Sequence, residues 1–575
     1  MNDWASYCAL ESQLGDAGLS LIGRAAREGR LRFENATSFL ELVYVRCLIK
    51  GVVEEVPHLP SWNGSHIESL RKRLVQLDTE YLGVGHDAVV GTLSQAEVPA
   101  GVSQGAISAK TERALIEHEI GKQRRHISIR ELMRRAPNAA RALKPCFMMS
   151  PASVAQFIPQ GQNTFDLVIV DEASQMRPED ALGALARGKQ TVIVGDPMQL
   201  PPTTFFDSSA DEDQLSQDDE IDIDTESILD IAISSYRPFR ELRWHYRSRH
   251  HSLIAFSNRE FYKDNLIVFP SPKDQAKDLG VQTVFVENGI YCNSLNLIES
   301  DVVIETVSEI MRRHPDCSIG VVAINQPQKE HLTEGFDRLF AEDPDLEDYR
   351  SRWPSTLEEF FVKNLENVQG DERDIIVIST VYGRAAPGAP VMQRFGPINS
   401  KSGHRRLNVL FTRAKERVVL VTSMRPEDIN LQPGSSRGLL AFKNYLEYAR
   451  SGRLDVGVNT GGSYESPFEE EVAEVLDRLG YKVEPQVGVA GYLIDLGVRH
   501  TQNHDHFILG IECDGASYHS AKSARDRDRL RQSVLEGLGW KLYRIWSTDW
   551  FYARDREIKR LTEHMRVIEG SHSPL

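Results

Sequence analysis

The sequence predicts an α/β protein of several domains, and three observations carry that expectation. A chain of 575 residues is too long for one hydrophobic core, because single cores stop growing at about 250–300 residues. From about position 146 onward, short apolar runs alternate with helical patterns. Those runs are FDLVIVD (165–171), QTVIVGD (190–196), CSIGVVAIN (317–325), RDIIVIST (373–380) and RVVLVTS (417–423). They are continuously rich in Val and Ile, the pattern of parallel strands buried under helices on both faces.

Taken in order, positions 1–145 read as mainly helical, with apolar periodicity in SFLELVYVRCLIKGVV (38–53) and in the basic stretch KQRRHISIRELMRR (122–135). The opening MNDWASYCALESQLGDAG lacks a basic region followed by an apolar one, so it is no signal peptide and reads as the middle of a helical segment. The alternating region divides into 146–237 and 238–450, each expected to form one α/β lobe. The polar, Gly-containing stretch over 451–464 is a linker. Positions 465–575 then form a compact final domain. Its expected elements are a helix FEEEVAEVLDRLG, strands around YLIDLGV and HFILGIECDG, a helix SARDRDRLRQSVLEGLG and a strand WKLYRIWS.

A hydrophobic content of 41% and a charged content of 26% are those of a soluble globular protein. The six cysteines form no CxxC pair, which argues against a zinc site or disulfide framework and fits a reducing cytoplasm. No apolar stretch approaches the roughly 20 residues of a membrane helix. The formal charge of −16 is concentrated in DSSADEDQLSQDDEIDIDTE (207–226), whereas 122–135 and 405–417 are strongly basic. A polyanion partner therefore stays open. Taken alone, 122–135 is better read as a solvated helix face.

In parallel sheets the working residues sit beyond the carboxyl ends of strands, where Asp171, Asp196 and Gln369–Asp371 are expected. An Asp-Glu pair in that position suits phosphoryl transfer, with Asp171 on a magnesium ion and Glu172 polarising the attacking water. DEASQ (171–175) is followed by VGDPMQLPPT (194–203), HYRSRH (245–250), ENVQGDERDIIVIS (366–379) and RRLNVLFTRAKERVVLVTS (405–423). Any one of these has an ordinary structural explanation, such as a basic surface patch or an amphipathic helix. Their order has none.

Those five blocks resemble motifs II to VI of superfamily 1 helicases, in the branch of the nonsense-mediated-decay helicase and the Okazaki-fragment nuclease-helicase, over about positions 146–450. The resemblance implies two RecA-like domains, with ATP and Mg2+ as cofactors. It implies that Asp171 binds magnesium, Glu172 is the catalytic base, and Gln175 and Gln199, with Asp196, contact or sense the terminal phosphate. Arg247 and Arg413 would be arginine fingers from the second domain. Gln369 and Gly370 would couple nucleotide to nucleic acid, and Glu372 would touch the nucleoside.

The phosphate-cradling loop GxxxxGK[ST] is absent. GALARGKQ (183–190) comes nearest, but it ends in Gln190, precedes a strand and lies downstream of DEASQ. It reads as a helix C-terminus with Gly188 as its stop. The first RecA-like domain is therefore expected to be incomplete. ATP turnover would need a loop from a missing N-terminal portion or a partner chain, unless the lobe is a relic.

In the last domain, Asp495 ends YLID, and Glu512 and Asp514 lie on one face of the strand IECDG. Three carboxylates brought together would hold one or two magnesium ions for phosphodiester hydrolysis. This segment resembles the very-short-patch-repair-like group of PD-(D/E)xK nucleases, with Asp514 where the group's general pattern has lysine. His519 or Lys522 would then assist the water or leaving group, and Glu470 or Glu471 would be a further acid. Arg525, Arg527, Arg529 and Arg531 suit either DNA phosphates or local ion pairs. The whole implies an ATP-driven helicase or translocase on DNA, in preference to RNA, coupled to a metal-dependent endonuclease. The alternatives are a non-catalytic nucleic-acid-binding subunit and an ATP-independent nuclease on a degenerate helicase platform.

Overall fold

The computed structural model describes residues 2–32, 34, 36–56, 63–159, 165–202, 226–274, 276–452, 454, 462–489, 491–500, 504–514 and 523–570. The chain forms two compact units, one of Met1–Leu77 with Ile545–Glu557 and one of Asp78–Arg544 with Ile558–Leu575. The acidic stretch 207–226 lies almost wholly outside the described residues. No described helix is long and apolar enough to cross a membrane.

The smaller unit is helical, beginning with Asn2–Asp16, Ser20–Arg27 and Ala36–Glu55. Its tightest point is Gly64, whose amide donates to Asp549 Oδ1 at 3.1 Å. A Cβ there would stand 2.4 Å from both Trp546 and Asp549, so only glycine fits the approach.

The larger unit contains the sheets. Strands β1 (Phe165–Val170) and β2 (Gly188–Ile193) pair in parallel, with the helix Pro178–Leu185 between them. Gly188 is not a helix stop. The helix ends before it and Gly188 opens β2 opposite Phe165, where a Cβ would meet Val168 Cγ2 at 2.6 Å. Close strand packing, not a left-handed cap, selects that glycine. Nor is this layer buried on both faces as its composition predicts. Ile169 is 62% exposed, Leu167 and Val192 each 45% and Val194 40%.

Two short strands follow, β3 (Trp244–His245) and β4 (Ile267–Val268), paired in parallel. Next comes an all-parallel sheet of β5 (Gly280–Phe285), β6 (Ile319–Ala323), β7 (Phe361–Asn364), β8 (Arg373–Ser379) and β9 (Ala414–Thr422), in the order β5-β9-β8-β6-β7. Here the prediction of buried parallel strands holds: Val321, Val322, Ile376, Val377, Val418 and Val421 are fully buried. The helices Leu297–Arg313, Gln326–Glu342 and Arg437–Ser451 add Val303, Phe336 and Phe442 to the same core.

The last sheet runs β10 (Val483–Val489), β11 (Tyr492–Arg499), β12 (Phe507–Asp514) and β13 (Leu542–Trp546), with β10–β11 and β11–β12 antiparallel. Its core of Val487, Tyr492, Ile494, Phe507, Leu535 and Trp540 is continuous with Phe269, just after β4. Trp540 Nε1 donates to Pro270 O at 2.9 Å and Phe507 N to Pro272 O at 2.8 Å.

Candidate functional site

Because β1 ends at Val170, Asp171 and Glu172 emerge at its carboxyl end. Glu172 takes a left-handed backbone, φ 51° and ψ 40°, which costs a non-glycine residue about 1–2 kcal/mol and recurs at functional turns. Both carboxylates are exposed, and Asp171 Oδ1 accepts the Glu172 amide at 3.0 Å. Glu172 Oε2 accepts from the side-chain amides of Gln175 at 3.3 Å and Gln369 at 3.4 Å. Gln369 Nε2 also lies 3.5 Å from Gln199 Oε1, and Gln199 donates to Asp196 Oδ2 at 3.1 Å. Gln369–Asp371 follow β7, a strand the sequence did not suggest, and precede β8. Residues from the β1–β2 layer and from the five-stranded sheet thus meet across one row of amides.

Two arginines complete this cleft. Arg247 Nη2 donates to Thr412 O at 2.7 Å and its Nη1 lies 3.3 Å from Glu372 Oε2. Arg413 is 5% exposed, and among the described residues its hydrogen bonds go to Val409 O at 2.7 Å and Thr412 Oγ1 at 3.2 Å. Burial, and then repulsion from Arg247, bring the Arg413 guanidinium down to about 10. A desolvated guanidinium beside a second one favours a multiply charged anion. Gln369 Oε1 and Ser174 Oγ are buried with no hydrogen-bond partner among the described residues. Such atoms are rare in finished interiors, where a water, an ion or a polar ligand satisfies them. Glu372 is ion-paired by Arg247 and by Lys415 at 3.3 Å. Gly370 has φ +84° and open space where a Cβ would stand.

Two further residues of this cleft went unread in the sequence. Tyr262 donates to Asp196 Oδ2 at 2.6 Å and accepts from Asn408 Nδ2 at 2.8 Å, while Asn408 Nδ2 also reaches Met198 O at 2.9 Å. Asn408 is a lone polar residue inside the apolar run of the helix Gly403–Phe411, which is the signal that would have flagged it. Tyr262 carries no such signal.

In the C-terminal sheet, Leu496 stands opposite Ile511, so Asp495 and Glu512 lie on neighbouring antiparallel strands, each beside that pair. Asp495 Oδ2 accepts the Cys513 amide at 2.7 Å, and Glu512 Oε1 accepts the Tyr492 hydroxyl at 3.0 Å. Among the described residues the other oxygen of each carboxylate has no hydrogen-bond donor. Burial, and then the Glu512 carboxylate beside it, hold Asp495 well above the usual carboxylate range. A bound cation removes that penalty, so the pair fits magnesium in donor chemistry and in charge.

The expected three-carboxylate cluster does not form. Asp514 is tied to Arg544, and among the described residues no three His, Cys, Asp or Glu side chains stand together as a metal cage. Burial pushes Asp514 up to about 6 against the pull of that arginine. The acid on the helix Pro467–Arg478 that acts on Asp495 is Glu469, buried and held by Gln486 Nε2 at 2.9 Å. It sits three residues after the helix-capping Ser466, a capping pattern legible in the sequence. Arg525 and Arg529 pair with Asp78, and Arg531 lies 4.3 Å over the Tyr492 ring. His519 and Lys522 lie outside the described residues, as does the Arg527 side chain.

The class follows from comparison with known families. Residues 151–207 and 225–425 match two AAA domain families, and 468–565 match the restriction-endonuclease-type family REase_MTES_1575. The chain carries AAA-type superfamily 1 helicase domains of the Sen1-like branch, followed by a restriction-endonuclease-like domain. It is 30% identical over 428 residues to an ATP-dependent helicase of Mycoplasma pneumoniae, covering 71% of this chain and 37% of that protein. It is 26% identical over 276 residues to the mouse 5'-3' DNA helicase ZGRF1, covering 45% of this chain and 13% of that one. To helicase sen1 of Schizosaccharomyces pombe it is 25% identical over 277 residues, covering 45% and 15%. The chain spans well under half the length of each of these relatives.

Proposed function

We propose that this chain supplies the catalytic base, phosphate sensors and arginine fingers of an ATP-driven DNA helicase, completed by a phosphate-binding loop from outside the chain. Its last domain is a divalent-metal-dependent DNA endonuclease. The observation that carries the reading is the meeting of Glu172, Gln175, Gln199 and Gln369 in one cleft with Arg247 and Arg413.

In this reading Glu172, steadied by Gln175 and Gln369, orients the attacking water and takes its proton. Gln199, fixed by Asp196, reads the terminal phosphate. Arg413 and Arg247 neutralise charge on the transferring group. Asp171 would hold a Mg2+ that withdraws charge from the phosphates, and Asp495 with Glu512 would hold one that does so at the scissile phosphodiester. The need for outside strands is supported by the apolar residues left exposed on β1 and β2, since parallel sheets are stable when covered on both faces. DNA is favoured because one relative is a DNA helicase and the last domain matches a restriction-endonuclease-type family.

DNA-stimulated ATP hydrolysis, with Glu172→Gln as control, tests the motor. The expected result is no turnover by this chain alone and turnover once a loop-bearing segment or partner is added. Turnover by the chain alone that Glu172→Gln abolishes would overturn the need for an outside loop. Mg2+-dependent DNA cleavage lost in Asp495→Asn tests the nuclease. Cleavage indifferent to ATP in the completed assembly would select the ATP-independent nuclease instead.

A further inference from the structure

Tyr492 belongs to two neighbourhoods at once. Its hydroxyl donates to Glu512 Oε1 at 3.0 Å, while its side chain is 5% exposed and packs on Phe269 with ring centroids 4.9 Å apart. Phe269 belongs to the helicase lobe and meets Trp244 edge-on at 5.5 Å. Trp244 pairs with Ile267 in the β3–β4 ladder, and His245 closes a tight turn onto Ser248 at 2.7 Å. Arg247 stands inside that turn. Just beyond it, Arg249 donates from its side chain to Gly537 O at 2.7 Å and from its amide to Lys415 O at 2.6 Å. A carboxylate of the nuclease pair and an arginine of the nucleotide cleft are therefore joined through one short stretch of backbone, by two hydrogen bonds, packed rings and a strand pair.

We propose that Tyr492 is a positioning residue of the nuclease site, holding Glu512 for the cation through its hydroxyl while Phe269 of the helicase lobe fixes the ring. The helicase lobe thereby sets the geometry of a nuclease ligand. The proposal rests on the reading of Asp495 and Glu512 as cation ligands. A hydroxyl donated to one carboxylate oxygen aims the other oxygen and limits its rotation. Outer partners of this kind change metal affinity about 10–100-fold when removed. The Arg531 guanidinium over the Tyr492 ring restrains the same side chain.

The test is Mn2+ binding to the whole chain, followed by electron paramagnetic resonance of free Mn2+, with no turnover required. The wild-type chain is expected to bind and Asp495→Asn to lose binding. Tyr492→Phe keeps the ring and is expected to weaken binding about tenfold with an unchanged unfolding midpoint. Phe269→Leu is expected to weaken binding in the wild-type background and to add nothing in Tyr492→Phe, because its effect passes through the hydroxyl. Wild-type affinity in Tyr492→Phe would overturn the proposal and leave the metal reading standing. So would a Phe269→Leu effect that is absent, or that persists unchanged without the hydroxyl. Failure of the wild-type chain to bind Mn2+ would overturn the metal reading and this proposal together.

Discussion

Tyr262 joins Asp196, on the β1–β2 side of the cleft, to Asn408, on the helix ahead of Arg413, through a single hydroxyl. Tyr262→Phe leaves both partners short of a bond in a buried setting, which costs about 1–3 kcal/mol. The expected outcome is that loss in urea unfolding, together with weaker coupling between DNA and ATP turnover in the completed assembly. Glu299 is a second residue whose chemistry is set by burial. It accepts from Ser379 Oγ at 2.7 Å, Val381 N at 2.6 Å and Ser423 Oγ at 2.7 Å. Complete burial still pushes its carboxyl up from 4.5 to about 7. A carboxyl raised on folding contributes stability that is fully present below its ordinary pKa and lost as pH rises through the raised one. Between about pH 4 and 8 the wild-type chain should therefore lose on the order of 3 kcal/mol relative to Glu299→Gln. Parallel slopes for the two proteins in pH-dependent urea melts would refute this assignment.

Among the elements, β6, β8 and β9 of the five-stranded sheet were legible because each is a buried, largely aliphatic run, as in IIVIS of β8, whereas the half-buried β5 and β7 were not. The two-residue strands β3 and β4 were not, since no periodicity fits in two positions. Their importance comes from contacts across long sequence separations, of which Phe269 with Tyr492 is one. The same holds for the site. Asp171, Glu172, Gln175 and Gln199 sit in motifs that announce themselves. By contrast, the claim of Arg544 on Asp514 depends on β13 folding back across 30 residues. Docking of the C-terminal sheet on the helicase lobe shows what such contacts are worth. Arg499, 2% exposed, makes a paired contact with both oxygens of Asp274 at 2.9 Å and donates to Glu484 Oε1 at 2.7 Å. Replacing it by Met leaves two largely buried carboxylates without this guanidinium, a change that costs up to about 3–5 kcal/mol. Arg499→Met should split unfolding into two transitions, with the C-terminal sheet released first. Lysine there cannot form the planar fork and should fall between the two.

At the scale of the whole molecule, two candidate sites share one scaffold: the Glu172 cleft at the edge of the five-stranded sheet and a carboxylate pair whose sheet is docked on β4. That arrangement makes the lobe between them the common support. It accounts for a chain that matches helicase families over 151–207 and 225–425 and a nuclease-type family over 468–565. The bare aliphatic residues of β1 and β2, with Ile169 62% exposed, have a consequence for handling the protein. An uncovered, twisted pair of parallel strands is a template for further strands, and two copies offer each other the surface each lacks. The purified chain should then scatter more light as it is concentrated, and Ile169→Lys should restore clear, dilution-independent solutions while leaving Mg2+-dependent DNA cleavage intact.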